Sequence, residues 1–134
     1  MQEAIYNNPK SIEALKDLIR SGFYYGQIKE EYFELTYHNG AKNVSNFCIT
    51  GTLDKSDNRF YLKSRISPVS IWFFYIVVFA MIFVLIVSLV NRQWLIVTIV
   101  LVAAILGSIK IHSFKRMALD LFIDRFNQFY YKLK

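Results

Sequence analysis

Residues 66–91 read ISPVSIWFFYIVVFAMIFVLIVSLVN, a stretch without a single charge. As an α-helix, its core Val69–Val90 rises about 33 Å, enough to cross the hydrocarbon of a bilayer. A second uncharged run, QWLIVTIVLVAAILGSI at 93–109, follows almost at once. It gives a span over Trp94–Ile111 of about 27 Å, with Lys110 extending its ammonium to the interface. Pro68 suits a first helical turn, where its missing N–H costs nothing, and Asn91-Arg92-Gln93 is a polar break of turn length. The two runs predict a transmembrane helical hairpin over residues 68–111. A chain of 134 residues is too short to bury both as the core of a soluble fold.

Basic residues around the spans set the expected orientation. Arg59, Lys63 and Arg65 precede the first span and Lys110, Lys115 and Arg116 follow the second, while Arg92 stands alone between them. The positive-inside rule then places both termini in the cytoplasm. Trp72 and Tyr75 near one membrane face and Trp94 at the other are expected interfacial anchors. Ala103/Gly107 and Ala104/Ser108 repeat small residues at a spacing of four, which lets a second helix approach closely, either the other span of the hairpin or another subunit. Neither span holds an Asp, Glu, Lys, Arg or His before Lys110, so a proton relay or ion-coupled carrier lacks its usual groups, although an oligomeric pore does not need them.

Upstream of the hairpin, residues 1–67 are expected to form a small cytoplasmic α+β domain. Pro9 at a first turn, the apolar set Ile12, Leu15, Leu18 and Ile19, and Gly22 as a stop describe one amphipathic helix. The period then changes to two. Phe33, Leu35 and Tyr37 alternate with polar residues, as do Phe47, Ile49, Gly51 and Leu53, and then Phe60, Leu62, Ser64 and Ile66. Turn signals at Asn39-Gly40 and Ser56-Asp57-Asn58 separate these runs, predicting an antiparallel meander of three strands with a fourth at Phe23–Ile28. Gly51 in mid-strand marks a bulge or a close aromatic neighbour. Tyr61, Lys63 and Arg65 share one face of the last strand, which leads almost directly into Pro68, so they are expected to meet lipid headgroups or a partner.

Residues 112–134 form a cytoplasmic amphipathic helix on the same reading. At 100° per residue Arg116, Asp120, Asp124, Asn127 and Lys134 fall in one polar arc, and Leu119, Leu121, Phe122, Phe126, Phe129, Tyr130 and Leu133 fill the rest. Three placements compete: in the membrane interface, docked on the sheet, or packed against another subunit.

Composition agrees with an anchored domain. Hydrophobic residues make up 54% of the chain and aromatic residues 17%, concentrated rather than spread. The net charge of +6 does not suggest nucleic acid, because residues 1–67 hold nine Lys and Arg against eight Asp and Glu, and the excess lies close to the spans. The first twenty residues carry both charge signs and lack the apolar core of a secretory signal, so the N-terminus is expected to be mature as written. Cys48 has no second cysteine to pair with, which fits a reducing compartment.

The same residues argue against catalysis. His38 and His112 lie on opposite sides of the hairpin without a His-x-x-x-His or His-Glu partner. Cys48 faces away from Phe47 and Ile49 in a strand whose nearest basic residue in sequence is Lys42, so nothing local activates its thiol. Glu30, Glu31 and Glu34 read as a solvated run, and Asp120 and Asp124 as solvated charges on one helix face. The glycines are dispersed and make neither a phosphate-cradling loop nor a dinucleotide fingerprint. No enzyme, cofactor or metal site is expected.

Tyr32-Phe33-Glu34-Leu35, Ile49-Thr50-Gly51-Thr52-Leu53 and Phe60-Tyr61-Leu62-Lys63-Ser64-Arg65-Ile66-Ser67-Pro68, followed by an aromatic-rich span, resemble small uncharacterised bacterial membrane proteins of the Bacteroidota type. The resemblance covers about residues 23–110. It implies a bacterial inner membrane and brings no activity, ligand or functional residue with it. The expectation is therefore a non-enzymatic interaction or regulatory module on a membrane anchor, in contact with the lipid bilayer and an unidentified protein partner. The alternative is an oligomeric membrane-active protein, whether pore-forming, holin-like or an immunity protein, that assembles as a homo-oligomer through the small-residue stripe.

Overall fold

A computed structural model of the chain describes residues 3–38 and 47–133. Asn39-Gly40 and Lys42 lie outside the described residues, as does Lys134. Two compact units emerge, Met1–Ser67 with Phe114–Lys134, and Pro68–Ser113.

The first unit is built on a five-stranded antiparallel sheet. In chain order it contains β1 (Ala4–Tyr6), α1 (Pro9–Arg20), β2 (Tyr24–Ile28), β3 (Tyr32–Tyr37), β4 (Phe47–Asp54) and β5 (Arg59–Ile66), with strand order β1-β5-β4-β3-β2. Asn8 caps α1, its side chain accepting from the Ser11 N–H at 2.7 Å, and Pro9 takes the first helical position. At the other end Gly22 adopts φ +75°, and its N–H donates to the Ile19 carbonyl at 3.0 Å. That is the left-handed stop that glycine accepts without steric penalty. Ser11, Ala14, Leu15 and Leu18 form the buried stripe of α1.

Alternation along the strands sorts their side chains onto two faces. On the inner face the register aligns Tyr24 with Tyr37, Leu35 with Ile49, Phe33 with Gly51 and Leu62, and Leu53 with Phe60. Phe33, Leu35 and Phe60 have no exposed surface. The Phe33 ring lies across the strand onto Gly51, where an added Cβ would come within 2.1 Å of the ring. Of the two meanings that the sequence leaves open for Gly51, the aromatic neighbour is the one found.

The sheet differs from the expected meander by one strand. β1 pairs with β5 at Ala4↔Tyr61, Ile5↔Phe60 and Tyr6↔Arg59. Three residues are too few to display alternation, and β1 exists because its partners are ready-made. The Asn7 N–H donates to the Asn58 carbonyl at 2.9 Å, the Asn58 side chain donates to the Asn7 carbonyl at 3.0 Å, and the Arg59 guanidinium stacks 4.4 Å over the Tyr6 ring.

A second difference concerns the tail. The span expected to end at Ile111 and the helix expected from residue 112 are one continuous helix, α3 (Trp94–Lys132). No glycine, proline or capping signal interrupts residues 109–132, so nothing breaks the hydrogen-bond ladder. Within the first unit, the end of α3 docks on the inner sheet face. Ala118, Phe122 and Phe126, spaced by four, are its buried seam. The Phe122 ring meets Tyr24 edge-on at 5.6 Å and stacks on Phe33 at 6.0 Å. Arg125 lies 4.7 Å over the Phe23 ring, and Lys10 of α1 lies 4.6 Å over Tyr130. Docking is thus the placement the tail adopts, with α1 beside it.

The second unit comprises α2 (Pro68–Val90) and α3 as far as Ser113. α2 ends in a Schellman motif: Gln93 N–H donates to the Ser88 carbonyl at 2.8 Å, Arg92 N–H donates to the Leu89 carbonyl at 3.1 Å, and Arg92 takes φ +55°. The Gln93 carbonyl then accepts from Ile96 and Val97 to open α3. Both helices are long and apolar enough to cross a membrane, and only 6% of each apolar window is buried. Thr98 and Ser108 donate back to the Trp94 and Ala104 carbonyls, so these hydroxyls are satisfied within the helix.

Replacing Gly51 by Ala forces the enclosed Phe33 ring to move, and overpacking of this kind costs about 1–3 kcal/mol. The full-length G51A chain in detergent should melt several degrees below the wild type. In an F33L background the same change should cost much less. An unchanged melting temperature for G51A would show that the ring is free to yield.

Candidate functional site

The second face of the sheet carries the polar chemistry of the strands. β5 contributes Arg59, Tyr61, Lys63 and Arg65, β4 contributes Cys48, Thr50 and Thr52, and β3 contributes Tyr32, Glu34 and Thr36. Register sets these in cross-strand rows: Tyr61 beside Thr52 and Tyr32, Lys63 beside Thr50 and Glu34, and Arg65 beside Cys48 and Thr36. The last row is the one whose β5 residue is nearest along the chain to Pro68.

Arg65 leaves its own row. Its guanidinium reaches diagonally across β4 to Glu34 on β3, donating to Oε2 at 2.9 Å. The Tyr32 hydroxyl donates to the same carboxylate oxygen. The Tyr32 hydrogen bond is the main influence holding the Glu34 carboxyl below its ordinary range, with the Arg65 charge acting in the same direction against partial burial. Glu34 is mostly enclosed, its side chain 18% exposed, whereas that of Arg65 remains 52% exposed. The pair is therefore a strap over the middle of the sheet with one end in solvent.

Beneath the strap, Cys48 is fully buried. Arg65 stands opposite it in register, a basic neighbour that linear sequence does not provide. Burial nevertheless prevails over that charge and pushes the thiol above its ordinary range, so it is a packed side chain rather than an activated nucleophile.

Elsewhere on this face the charges are paired locally. The Tyr61 hydroxyl donates to Asp57 at 2.5 Å, and this bond raises its own titration range. Lys55 pairs with Glu31. Lys63 is exposed, and its carbonyl accepts from the Thr50 hydroxyl at 3.1 Å. Tyr61, Lys63 and Arg65 thus lie on one face as the alternation requires, but each meets different neighbours. The sequence reading took Glu34 for a solvated charge, whereas it is mostly enclosed and paired, and it gave Tyr32 and Asp57 no role. Tyr32 and Glu34 at i, i+2 share a strand face, yet their meeting with Arg65 depends on the register of three strands.

The remaining candidates fall outside this face. His38 stacks edge-on against Tyr25 at 5.7 Å, and His112 is exposed. Asp120 and Asp124 are exposed on α3. Among the described residues no group of three His, Cys, Asp or Glu side chains is placed to hold a metal ion. Trp72, Tyr75 and Trp94 are exposed, as are Lys110 and Arg116, while Lys115 is half-buried. Along α3, Ala103, Ala104 and Ser108 are exposed and a Cβ added at Gly107 would meet nothing within 4 Å, so the stripe is uncovered in the single chain.

No protein-family model, curated protein or solved structure matches the chain. The candidate site is an ordered polar sheet face, opposite a filled apolar one, whose strand β5 is joined to α2 through Ser67 alone.

Glu34 gives this face an acid dependence with a defined sign. Its folded carboxyl titrates below the ordinary glutamate value of 4.5. Its contribution, about 1 kcal/mol for a pair with one exposed partner, is present above that value and lost as pH falls through the lower folded value. The gap between thermal melts of wild type and E34Q at pH 7 should narrow as pH falls below 4.5. A gap that does not narrow would assign the effect to shape rather than charge.

Proposed function

We propose that this chain is a non-enzymatic integral membrane protein. A cytoplasmic sheet unit is held at the bacterial inner membrane by the α2 and α3 spans and presents its polar face as an interaction or regulatory surface. The observation that carries the reading is the exposure of Trp72, Phe73, Phe79, Phe83 and Ile105, each more than 60% accessible on helices of spanning length. Apolar surface on this scale is unstable in water and matches a hydrocarbon surrounding.

Several features support the finer parts. Arg59, Lys63 and Arg65 before α2, and Lys110, Lys115 and Arg116 on α3, against Arg92 alone in the turn, favour cytoplasmic termini and a multi-pass hairpin. The resemblance of residues 23–110 to small Bacteroidota membrane proteins favours a bacterial inner membrane. With α1 and the end of α3 on the inner face, the polar face is the broad surface left open, and Tyr61, Lys63 and Arg65 are its β5 contacts with lipid headgroups or a partner. No Asp, Glu, Lys, Arg or His precedes Lys110 in the spans, so the hairpin serves as an anchor.

In a C48A background, an impermeant maleimide added to spheroplasts should label R92C and leave Q128C unlabelled until the membrane is opened. Protein captured by in-cell crosslinking should be lost when Tyr61, Lys63 and Arg65 are changed together to Ala. Release of the chain by alkaline wash would remove the membrane reading, reversed labelling its orientation, and an unchanged crosslink set its contact face.

A second reading, an oligomeric membrane-active protein, is favoured by the uncovered stripe at Ala103, Ala104, Gly107 and Ser108. On that reading A103L/G107L converts a crosslinkable oligomer to monomer. A monomer before and after the change would dismiss it.

A further inference from the structure

We propose that Arg65 binds the phosphate of an anionic phospholipid headgroup and that Glu34 is a built-in competitor that holds it back. The inference rests on the membrane reading above and adds a lipid class and a means of regulation.

Chain connectivity supplies the first argument. Arg65 stands three residues before Pro68, a maximum reach of about 10 Å, so whatever surrounds the start of α2 is within range of its side chain. If α2 enters the bilayer at Pro68, that surrounding is the headgroup layer of the cytoplasmic leaflet. Lys63, on the adjacent row of the same face and exposed, adds a second cation.

The second argument is the state of the guanidinium. Arg65 Nη2 is bonded to Glu34 Oε2, yet half of the side chain faces solvent. Arginine has five N–H donors in a planar fork that matches phosphate geometry, and Lys63 lacks that geometry.

Third, the exchange leaves no stranded charge. Glu34 Oε2 accepts from both Arg65 and the Tyr32 hydroxyl, so when Arg65 turns to a phosphate the carboxylate keeps its Tyr32 donor. An ion pair with one exposed partner contributes little, so Arg65 leaves Glu34 at small cost. Glu34 thereby sets how strongly the membrane's negative lipids are felt. A zwitterionic headgroup cancels most of the attraction, so the occupant is an anionic phospholipid.

The two tryptophans provide the test. Full-length single-tryptophan chains, W94F retaining Trp72 and W72F retaining Trp94, are placed in phosphatidylcholine bilayers containing brominated phosphatidylglycerol or brominated phosphatidylcholine. Trp72 lies four residues into α2 and reports on the Arg65 end, while Trp94 at the opposite end of the span is the control. Brominated phosphatidylglycerol should be preferred at Trp72 by about fivefold, the effect of one interfacial cation. R65Q should lower the preference severalfold, R65K should retain more of it, and E34Q should raise it, with Trp94 unmoved throughout. Equal preference in wild type and R65Q, or a preference lowered by E34Q, overturns the proposal, as does selection of phosphatidylcholine. Quenching of both tryptophans without headgroup selection sinks the proposal and leaves the membrane reading standing. Absence of quenching by either lipid sinks the membrane reading itself.

Discussion

The sheet unit depends on one close approach, the Phe33 ring lying in the space that Gly51 leaves open on the next strand. Because that ring is let down onto the sheet, Phe60 packs edge-on to it from β5 at 5.4 Å and Phe122 stacks on it from α3 at 6.0 Å. Aromatic rings in these arrangements bring both a large buried area and a preferred geometry. Three distant segments of the chain, around residues 33, 60 and 122, are tied together at this point. The rest of the unit, including the polar face on the reverse side of the same strands, inherits its register from that contact.

Filling one face leaves the other to electrostatics. Its charged groups are mostly partnered across short distances, with Asp57 on Tyr61, Glu31 on Lys55, and Glu34 on Arg65 and Tyr32. Cys48, buried on the same face, has its thiol pushed above its ordinary range by that burial. What the face offers is a patterned surface with a small number of cations that are exposed or weakly held.

Much of this was legible from residue patterns. The two apolar runs announce helices of spanning length, Asn8-Pro9 and Gly22 bracket α1, and period-two alternation marks β3, β4 and β5. The anomalous Gly51 points to a bulge or a close aromatic neighbour before any neighbour is known. Each of these signals is local, arising from sterics or from the repeat of a helix or strand within a few residues. The signals fail where structure is borrowed from elsewhere. β1 is too short to show a period, and the tail helix has an apolar arc that would suit lipid, a subunit or a sheet equally well.

The amino-acid sequence by itself determined α1, α2 and the strands β2 to β5, which strand positions share a face, and the apolar character of α2 and the first part of α3. Backbone periodicity and hydrophobic transfer act on consecutive residues, so a linear reading captures them. Only the tertiary structure decided that β1 closes the sheet beside β5, that Ala118, Phe122 and Phe126 are the docked seam of the tail, and that Arg65 crosses to Glu34 instead of pointing straight out. Those outcomes depend on strand order, register and ring packing between segments tens of residues apart, and no local propensity encodes them.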